Sequence, residues 1–571
     1  VTYQIVDNFA AGLDTRKSPL TSPAGTLTRL VNASITPGGE IAKRRAFVQV
    51  ASVPNTFGLA STEANLFVFG KNIDPSLPSW PVPGVTLKGL KVPNADATLT
   101  QMDYDTFDGK VYLACRTGSG TLPSAPTTAE NPHYWDPSTT GTGMLLTEGA
   151  GKGYYVRTYQ SKMYAVLGKN LFFSAVGNPF IWNAATVVNS VVVTSLSNTS
   201  PARVTVGAAD ITKFSNGKRV VVSGADDTHS AANGLHTISA VGTPANTFIL
   251  DDVDCSGAAA AQTTGVRIDD QPTAGRGYIN ISLQDADSEQ LTSLEVYYDK
   301  LAIFSSEAVQ IWAVDPDPAQ NAFTQLLRAA GTFSPRSPLQ YGSGDVLYLD
   351  QSGIRSLKAK DSSNSAAVSD IGSPVDPTVQ AMLLGKGQSY MDKAIALLEP
   401  SVGRFWMVFP DQILVLSYFP GPKITAWSTF TIPEIGTATV QYAVTCGGKI
   451  FFRTSDDRIF VYGGSDGLTF GNCGVEVRMP YLDGKKPGHK KQFAALDATV
   501  SGTWEARVSF DFDNPDAEEV LGTLTKPTWN VGAGELQGYD SHFSLRFYNN
   551  DTAAATISNC AVHYEMADSE T

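Results

Sequence analysis

Apolar positions in this chain come in short alternating bursts, and the bursts come in pairs. "GKVYLACRTG", "SKMYAVLGKNLFF", "DKLAIFSSEAVQIWAVD" and "GKIFFRTSDDRIFVYGG" each open on a small polar or basic residue. Each runs through Val, Ile, Leu, Tyr or Phe and breaks at a Gly, Ser, Asn or Asp. A second run usually follows, and it often reaches a Trp or Tyr. Period-two alternation with such boundaries is the pattern of strands joined by tight turns. "NLFVFGKNIDPSLPSW", "GDVLYLDQSGIRSLKA" and "GRFWMVFPDQILVLSYFPGPKITAWSTF" belong to the same set. Where members are consecutive, the starts at Lys110 and Lys162, and at Asp345, Arg404 and Lys449, recur roughly every 45 to 60 residues, the length of one four-stranded propeller blade with its loops. Helical spacing is confined to Asp376 to Leu384 and to a second stretch from Gln320 to Ala330.

Two regions depart from that rhythm. Between Ala184 and Gly277 the only aromatics are Phe214 and Phe248, and turn signals at Asn233-Gly234 and Pro244-Ala245-Asn246 separate short Val- and Thr-rich strands. After Gly464 the strands lengthen and the blade rhythm stops. The expected architecture is all-β: a degenerate β-propeller in two parts, residues 1–183 with the N-terminal strand and residues 278–464. A small β-barrel or sandwich (184–277) is inserted between them, and a C-terminal β-sandwich (465–571) follows. In "LFFSAVGNPFIWN", just before the insertion, Trp182 is expected to pack into a blade edge rather than to present an aromatic binding tip.

Composition supports strands and adds a constraint on partners. Of 571 residues, 42% are hydrophobic and only 17% charged, with 51 Gly and 32 Pro to supply turns. The net charge of −13 disfavours ordinary nucleic-acid binding, which draws on cations that displace counterions. An acidic wall repels a passing polyanion instead. Cys115, Cys255, Cys446, Cys473 and Cys560 are widely spaced without a C-x-x-C pair, which points to buried thiols in a reducing compartment rather than to disulfides or zinc. The opening Val1-Thr2-Tyr3-Gln4 carries no basic or apolar leader, so synthesis in a cytoplasm without a Sec signal is expected. The most apolar stretch, Arg404 to Phe419, is broken by Pro410, Asp411 and Gln412, so no membrane-spanning segment is expected.

The candidate chemistry thins out on inspection. Gly151-Lys152 lacks the first Gly and the Ser or Thr of a phosphate-binding loop. Gly463 to Gly467 matches G-x-S-x-G around Ser465, but the helix that a nucleophile elbow needs does not follow. His133, His229, His236, His489, His542 and His563 form no close pair. The run Asp511 to Glu519 is rich in carboxylates, yet it has Pro515 and Asp516 where a calcium loop needs a ligand and a Gly, so a solvated acidic hairpin is expected. Asp103, Asp105 and Asp108 are read as turn formers, with a carboxylate pair for glycoside hydrolysis as the alternative. Asp483 to Lys491, "DGKKPGHKK", is the densest basic cluster and reads as an exposed loop, or as a contact for an acidic protein or DNA. No catalytic, cofactor-binding or metal residue is assigned, and no enzyme activity is expected.

The order of motifs points to a family. "NFAAGLDTRKSPLTSPAGTLTRLVNASITPGGEIAKRRAF" has a Phe-x-x-Gly opening, a Ser/Pro segment, a Leu-x-x-x-x-Asn and a Gly-Gly-Glu-Ile-x-Lys-Arg-Arg run. It resembles the start of tail nozzle proteins of short-tailed bacteriophages, also called tail tubular or head–tail stabilisation proteins. "LFFSAVGNPFIWN", "DVLYLDQSGIRSL", "AWSTFTIP" and "PGHKKQF" resemble later segments of that family in the same order. The resemblance implies a structural virion protein: a homohexameric tube at the distal end of the tail, beneath a tail adaptor protein joined to the portal. Tail fibres or spikes attach at its side, and genomic double-stranded DNA passes through its lumen without sequence-specific binding. The competing expectation for an all-β chain of this size is a propeller glycosidase or a carbohydrate-binding virion protein acting on host surface polysaccharide.

Overall fold

The computed structural model describes residues 2–70, 77–91, 99–117, 133–135, 145–146, 155–177, 179, 190–270, 277–281, 290–316, 318–342, 344–363, 370–529 and 534–567. The fold is all-β. Its repeating element among the described residues is an antiparallel meander of three or four strands, and seven of them follow one another along the chain. The first comprises Phe57–Ser61, Asn65–Gly70 and Thr86–Lys91, and the second Leu99–Phe107, Lys110–Thr117, His133–Trp135 and Leu145–Leu146. The third comprises Tyr155–Tyr159, Lys162–Leu167, Asn170–Phe173 and Gly277–Asn280, and the fourth Leu291–Tyr297, Lys300–Ser305, Ala308–Ala313 and Ala322–Arg328. Leu339–Tyr341, Asp345–Asp350 and Gly353–Ser356 make the fifth, and Ile395–Leu398, Phe405–Val408, Gln412–Phe419 and Ile424–Thr431 the sixth. The seventh takes Val440–Cys446, Lys449–Thr454 and Arg458–Tyr462 and is completed by Phe47–Ser52 from far upstream.

Local sequence explains the hairpins. Asp108-Gly109, Gln160-Ser161 and Gly447-Gly448 all have positive φ and form two-residue connections, each followed by the Lys that opens the next strand. The second strands are buried on both faces (Lys162–Leu167 reads buried at five positions in a row), because meanders pack against one another. Trp406, Phe430, Phe452, Tyr462 and Phe47 interleave between the sixth and seventh. Tyr155, Leu171, Leu294, Ile303 and Trp312 do the same between the third and fourth.

Two compact units result: residues 1–89 with 333–571, and residues 90–332. Within the second, residues 190–270 form a seven-stranded sheet with its own core, including Val204, Phe214, Val220, Ile238 and Phe248. It leaves the third meander after Asn170–Phe173 and returns at Gly277–Asn280, which pair with each other. Within the first, a two-sheet sandwich draws on both ends of the chain. One sheet runs Gly534–Asp540, Lys491–Ser501, Thr556–Met566, Ile41–Lys43, Ala33–Ile35, with Thr2–Val6 also on Thr556–Met566. The other runs Glu519–Leu524, Trp504–Ser509, Ser544–Asn549, Val475–Arg478, Arg29–Val31 and continues into the sixth meander.

Two expectations need correction. The N-terminal segment does not simply lead into a propeller; its strands are built into the sandwich, because their backbones pair with Thr556–Met566 and Val475–Arg478. The helix expected from Gln320 to Ala330 is instead the strand Ala322–Arg328, which pairs with Ala308–Ala313 and sets Phe323 edge-on to Trp312 at 5.7 Å. Helix propensity there is local and weak, and cross-strand pairing outweighs it. The helix Asp376–Lys386 forms where the spacing predicts one.

Candidate functional site

The motif residues at the N-terminus converge on one buried junction. Phe9 is fully buried, and its N–H donates to the Gly39 carbonyl at 2.9 Å. Gly12 has φ +58° and lies so close to the sixth meander that a Cβ there would sit 2.7 Å from Ala426 Cβ. Asn32 uses its whole amide: Nδ2 donates to Thr431 Oγ1 at 2.8 Å and to the Cys473 and Gly474 carbonyls, while Oδ1 accepts from Thr431 N and Arg44 Nε at 2.9 Å each. Arg44, wholly buried, grips Glu434 with both terminal nitrogens at 2.9 and 3.0 Å and lies over the Phe47 ring. Lys43 Nζ donates to Asn549 Oδ1 at 2.8 Å and to the Asp551 carbonyl, and burial pushes its pKa down. This basic run therefore ties the sandwich, the sixth meander and the Glu434 turn together.

A second buried cluster joins the second, third and fourth meanders. Arg157 donates from Nε to Glu295 Oε2 at 3.1 Å and from Nη1 to Asp103 Oδ2 at 3.0 Å. The carboxylates also take backbone donors: Val156 N on Asp103 Oδ2, Thr158 N and Thr106 N on Asp105, Val296 N on Glu295 Oε1. Burial pushes the Asp105 and Glu295 carboxyls up, partly opposed by Arg157. Burial also works against the Arg157 cation, yet Asp103, Glu295 and Asp105 hold its pKa above the ordinary value. Asp103 and Asp105 thus correct the turn expectation: they stand on the strand Leu99–Phe107, and only Asp108 occupies the turn. Asp105, Arg157 and Glu295 each lie three residues before their hairpin turn, opposite Tyr112, Tyr164 and Ala302. Superposing the repeats on their turns would have aligned the three charges; reading each segment alone does not.

A third feature escaped the sequence altogether. Arg29, Arg478, Arg546 and Arg507 form one cross-strand row on four neighbouring strands of the sandwich. Glu518 reaches into the row, accepting from Arg546, from Arg507 at 3.1 Å and from the Tyr548 hydroxyl at 2.8 Å, and Glu476 accepts from Arg29 at 2.6 Å and from Arg478. Glu518 leaves the acidic run to do so; Asp511, Asp513, Asp516 and Glu519 remain exposed.

The other candidates stay apart. Ser465 lies in a turn set by positive-φ Gly463, Gly464 and Gly467, and among the described residues no His or carboxylate bonds its hydroxyl. His229 pairs with Asp226 at 2.9 Å, His236 with the Ala232 carbonyl, His563 with Asp497 Oδ2 at 2.8 Å, and His542 with Ser541. Among the described residues no group of three His, Cys, Asp or Glu is placed to hold a metal, and no helix is long and apolar enough to cross a membrane. The five cysteines are buried thiols, Cys446 pushed up to about 11 and Cys560 to about 12 by burial. Gly151-Lys152 and Trp182 lie outside the described residues.

No protein-family profile matches the chain, and no curated protein does. Among solved structures it is similar to a catalytically inactive virginiamycin B lyase from Staphylococcus aureus with quinupristin (10% identity, TM-score 0.26, 65% of this chain and 96% of that one). It is similar to the Pan2 WD40 domain of Neurospora crassa (10% identity, TM-score 0.26, 65% and 90%). It is also similar to BamB from Moraxella catarrhalis, with 8% identity and a TM-score of 0.28 over 74% of this chain and 99% of that one.

Proposed function

We propose that this chain is a structural subunit of a short phage tail, the nozzle at its distal end. Identical copies assemble as a ring, hexameric as the family resemblance implies, beneath a tail adaptor and portal. Genomic double-stranded DNA passes through the lumen and fibres attach outside. One observation carries the reading: of the motif residues behind the resemblance, Gly12, Asn32 and Arg44 interlock the N-terminal run with the sixth meander and the Glu434 turn, and Lys43 ties that run to Asn549 of the sandwich. A wall that withstands DNA ejection needs such cross-bracing, and the net charge of −13 discourages a duplex from sticking. The candidate carboxylates Asp103 and Asp105 are instead engaged by Arg157 and backbone N–H groups between meanders, which supports a bracing role.

The test is electron microscopy of the purified chain at high concentration, alone and with the adaptor, together with a depolymerisation assay on host surface polysaccharide. Rings with a lumen wide enough for duplex DNA are expected. Discrete single subunits that cleave the polysaccharide overturn the reading.

A further inference from the structure

The loop Asp483 to Lys490 is a built feature, although Lys485 to Lys490 are exposed. Lys491, at the start of the strand Lys491–Ser501, is buried and donates to the Lys486, His489 and Ser541 carbonyls at 2.9, 2.8 and 2.9 Å. The Tyr564 hydroxyl donates to the Gly484 carbonyl at 3.0 Å, and Lys485 N to Asp483 Oδ1 at 2.8 Å. Carbonyls of the loop are thereby gathered inward on one ammonium. Lys485, Lys486, His489 and Lys490 stay exposed on its outer side. Lys490 lies over the exposed Tyr539 ring at 5.0 Å. Among the described residues, Lys485, Lys486 and Lys490 have no carboxylate partner, in a chain with 55 acidic and 42 basic residues.

We propose that this loop is a docking point for the acidic surface of a second copy of the chain; the inference rests on the self-assembly reading above for its partner. Charge complementarity selects that occupant. The exposed carboxylates Asp511, Asp513, Asp516 and Glu519 of a second copy complement the ammoniums, and the loop backbone is ordered before contact. The copy's acceptor is a carboxylate-bearing face, so the contact is sensitive to salt.

The experiment mixes isotopically heavy and light copies and joins touching ammonium and carboxylate groups with a carbodiimide. Mass spectrometry should find Lys485, Lys486 or Lys490 of one copy bonded to carboxylates of the other. The variant K485E/K486E/K490E, with Lys491 kept so that the loop holds its shape, should lose these joins. It should also raise the concentration for half-association in sedimentation at least about tenfold, and salt at about 0.5 M should do the same to the natural chain. Joins between copies that come only from other lysines overturn the inference and leave self-assembly standing. Absence of any join between copies overturns it as well, and electron microscopy with the adaptor then decides separately on the ring. If the variant loses binding to a labelled DNA duplex while self-association is unchanged, the loop is a phosphate site and the proposal falls.

Discussion

Replacing Arg157 with Met puts the buried clamp to its most direct test. The guanidinium is shared by Asp103 and Glu295 at 3.0 and 3.1 Å, with Asp105 close enough to contribute. Met keeps most of the stem and removes the charge with its donors. Glu295 Oε2 then loses its donor, and Asp103 Oδ2 keeps only Val156 N. Breaking a buried ion pair from one side costs about 3–5 kcal/mol, a third or more of the stability of many domains. The loss should depend on pH with a definite sign. Asp105 and Glu295 already have folded pKa values above their unfolded ones through burial, and losing the cation raises them further. A raised carboxyl binds its proton more readily in the folded state. Its contribution is therefore fully present below the unfolded value, about 4, and is lost as pH rises through the folded one. The variant should be weakest near pH 7.5 and recover toward pH 5.

Because the chain holds several cooperative units, a single unfolding free energy is ill-defined. Amide hydrogen exchange in Leu99–Phe107, Tyr155–Tyr159 and Leu291–Tyr297 reads the clamp locally. A protection loss under about 1 kcal/mol at pH 7.5, or an equal loss at both pH values, refutes the clamp. Asp105→Asn, which removes one surplus negative charge, should flatten the pH dependence in the otherwise natural protein.

Three further outcomes are expected. Gly12→Ala meets Ala426 at 2.7 Å from a positive-φ position and should cost about 2–4 kcal/mol, seen as faster exchange in Ile424–Thr431. Lys491→Met should leave the sandwich folded but loosen the loop, about 2 kcal/mol by the lost charged hydrogen bonds, with new protease cleavage between Gly484 and Lys490. Burial pushes the Asp392 carboxyl up to about 6, and its Oδ1 is buried without a partner. Its stability contribution is thus lost as pH rises through 6, and Asp392→Asn should stabilise the fifth and sixth meanders by about 1 kcal/mol at pH 7.5, after allowance for partial exposure, and hardly at all at pH 5.

What could be read in the sequence is what is decided within a few residues. Lys110, Lys162 and Lys449 follow turns whose Gly, Ser or Asp take positive φ, and the runs after them are strands because both faces are buried. The stretch Ala322–Arg328 misleads because Gln325, Leu326 and Leu327 favour a helix, while their strand partners Ile311, Gln310 and Val309 come from the preceding strand. Asp103 and Asp105 mislead for the same reason: their partners, Arg157 and the Thr158 N–H, are in another meander, more than 50 residues on.

The N-terminal run is the extreme case. Arg44 meets Glu434, 390 residues away, and Lys43 meets Asn549, 506 residues away, so no local pattern could show that these cations point inward. A Lys-Arg-Arg run in an acidic chain would ordinarily be taken for a solvated or anion-seeking patch. The interlock also sets an order of events. Thr2–Val6 and Ile41–Lys43 pair with Thr556–Met566, and Arg29–Val31 with Val475–Arg478, so pairing of the two ends closes the largest loops of the fold and comes late in it. A chain cut before Ser544–Asn549 should keep the repeated meanders of residues 90–332 protected while Thr2–Val6 exchanges freely and Ile41–Lys43 loses protection. Full protection of Thr2–Val6 in that cut chain would refute the interlock.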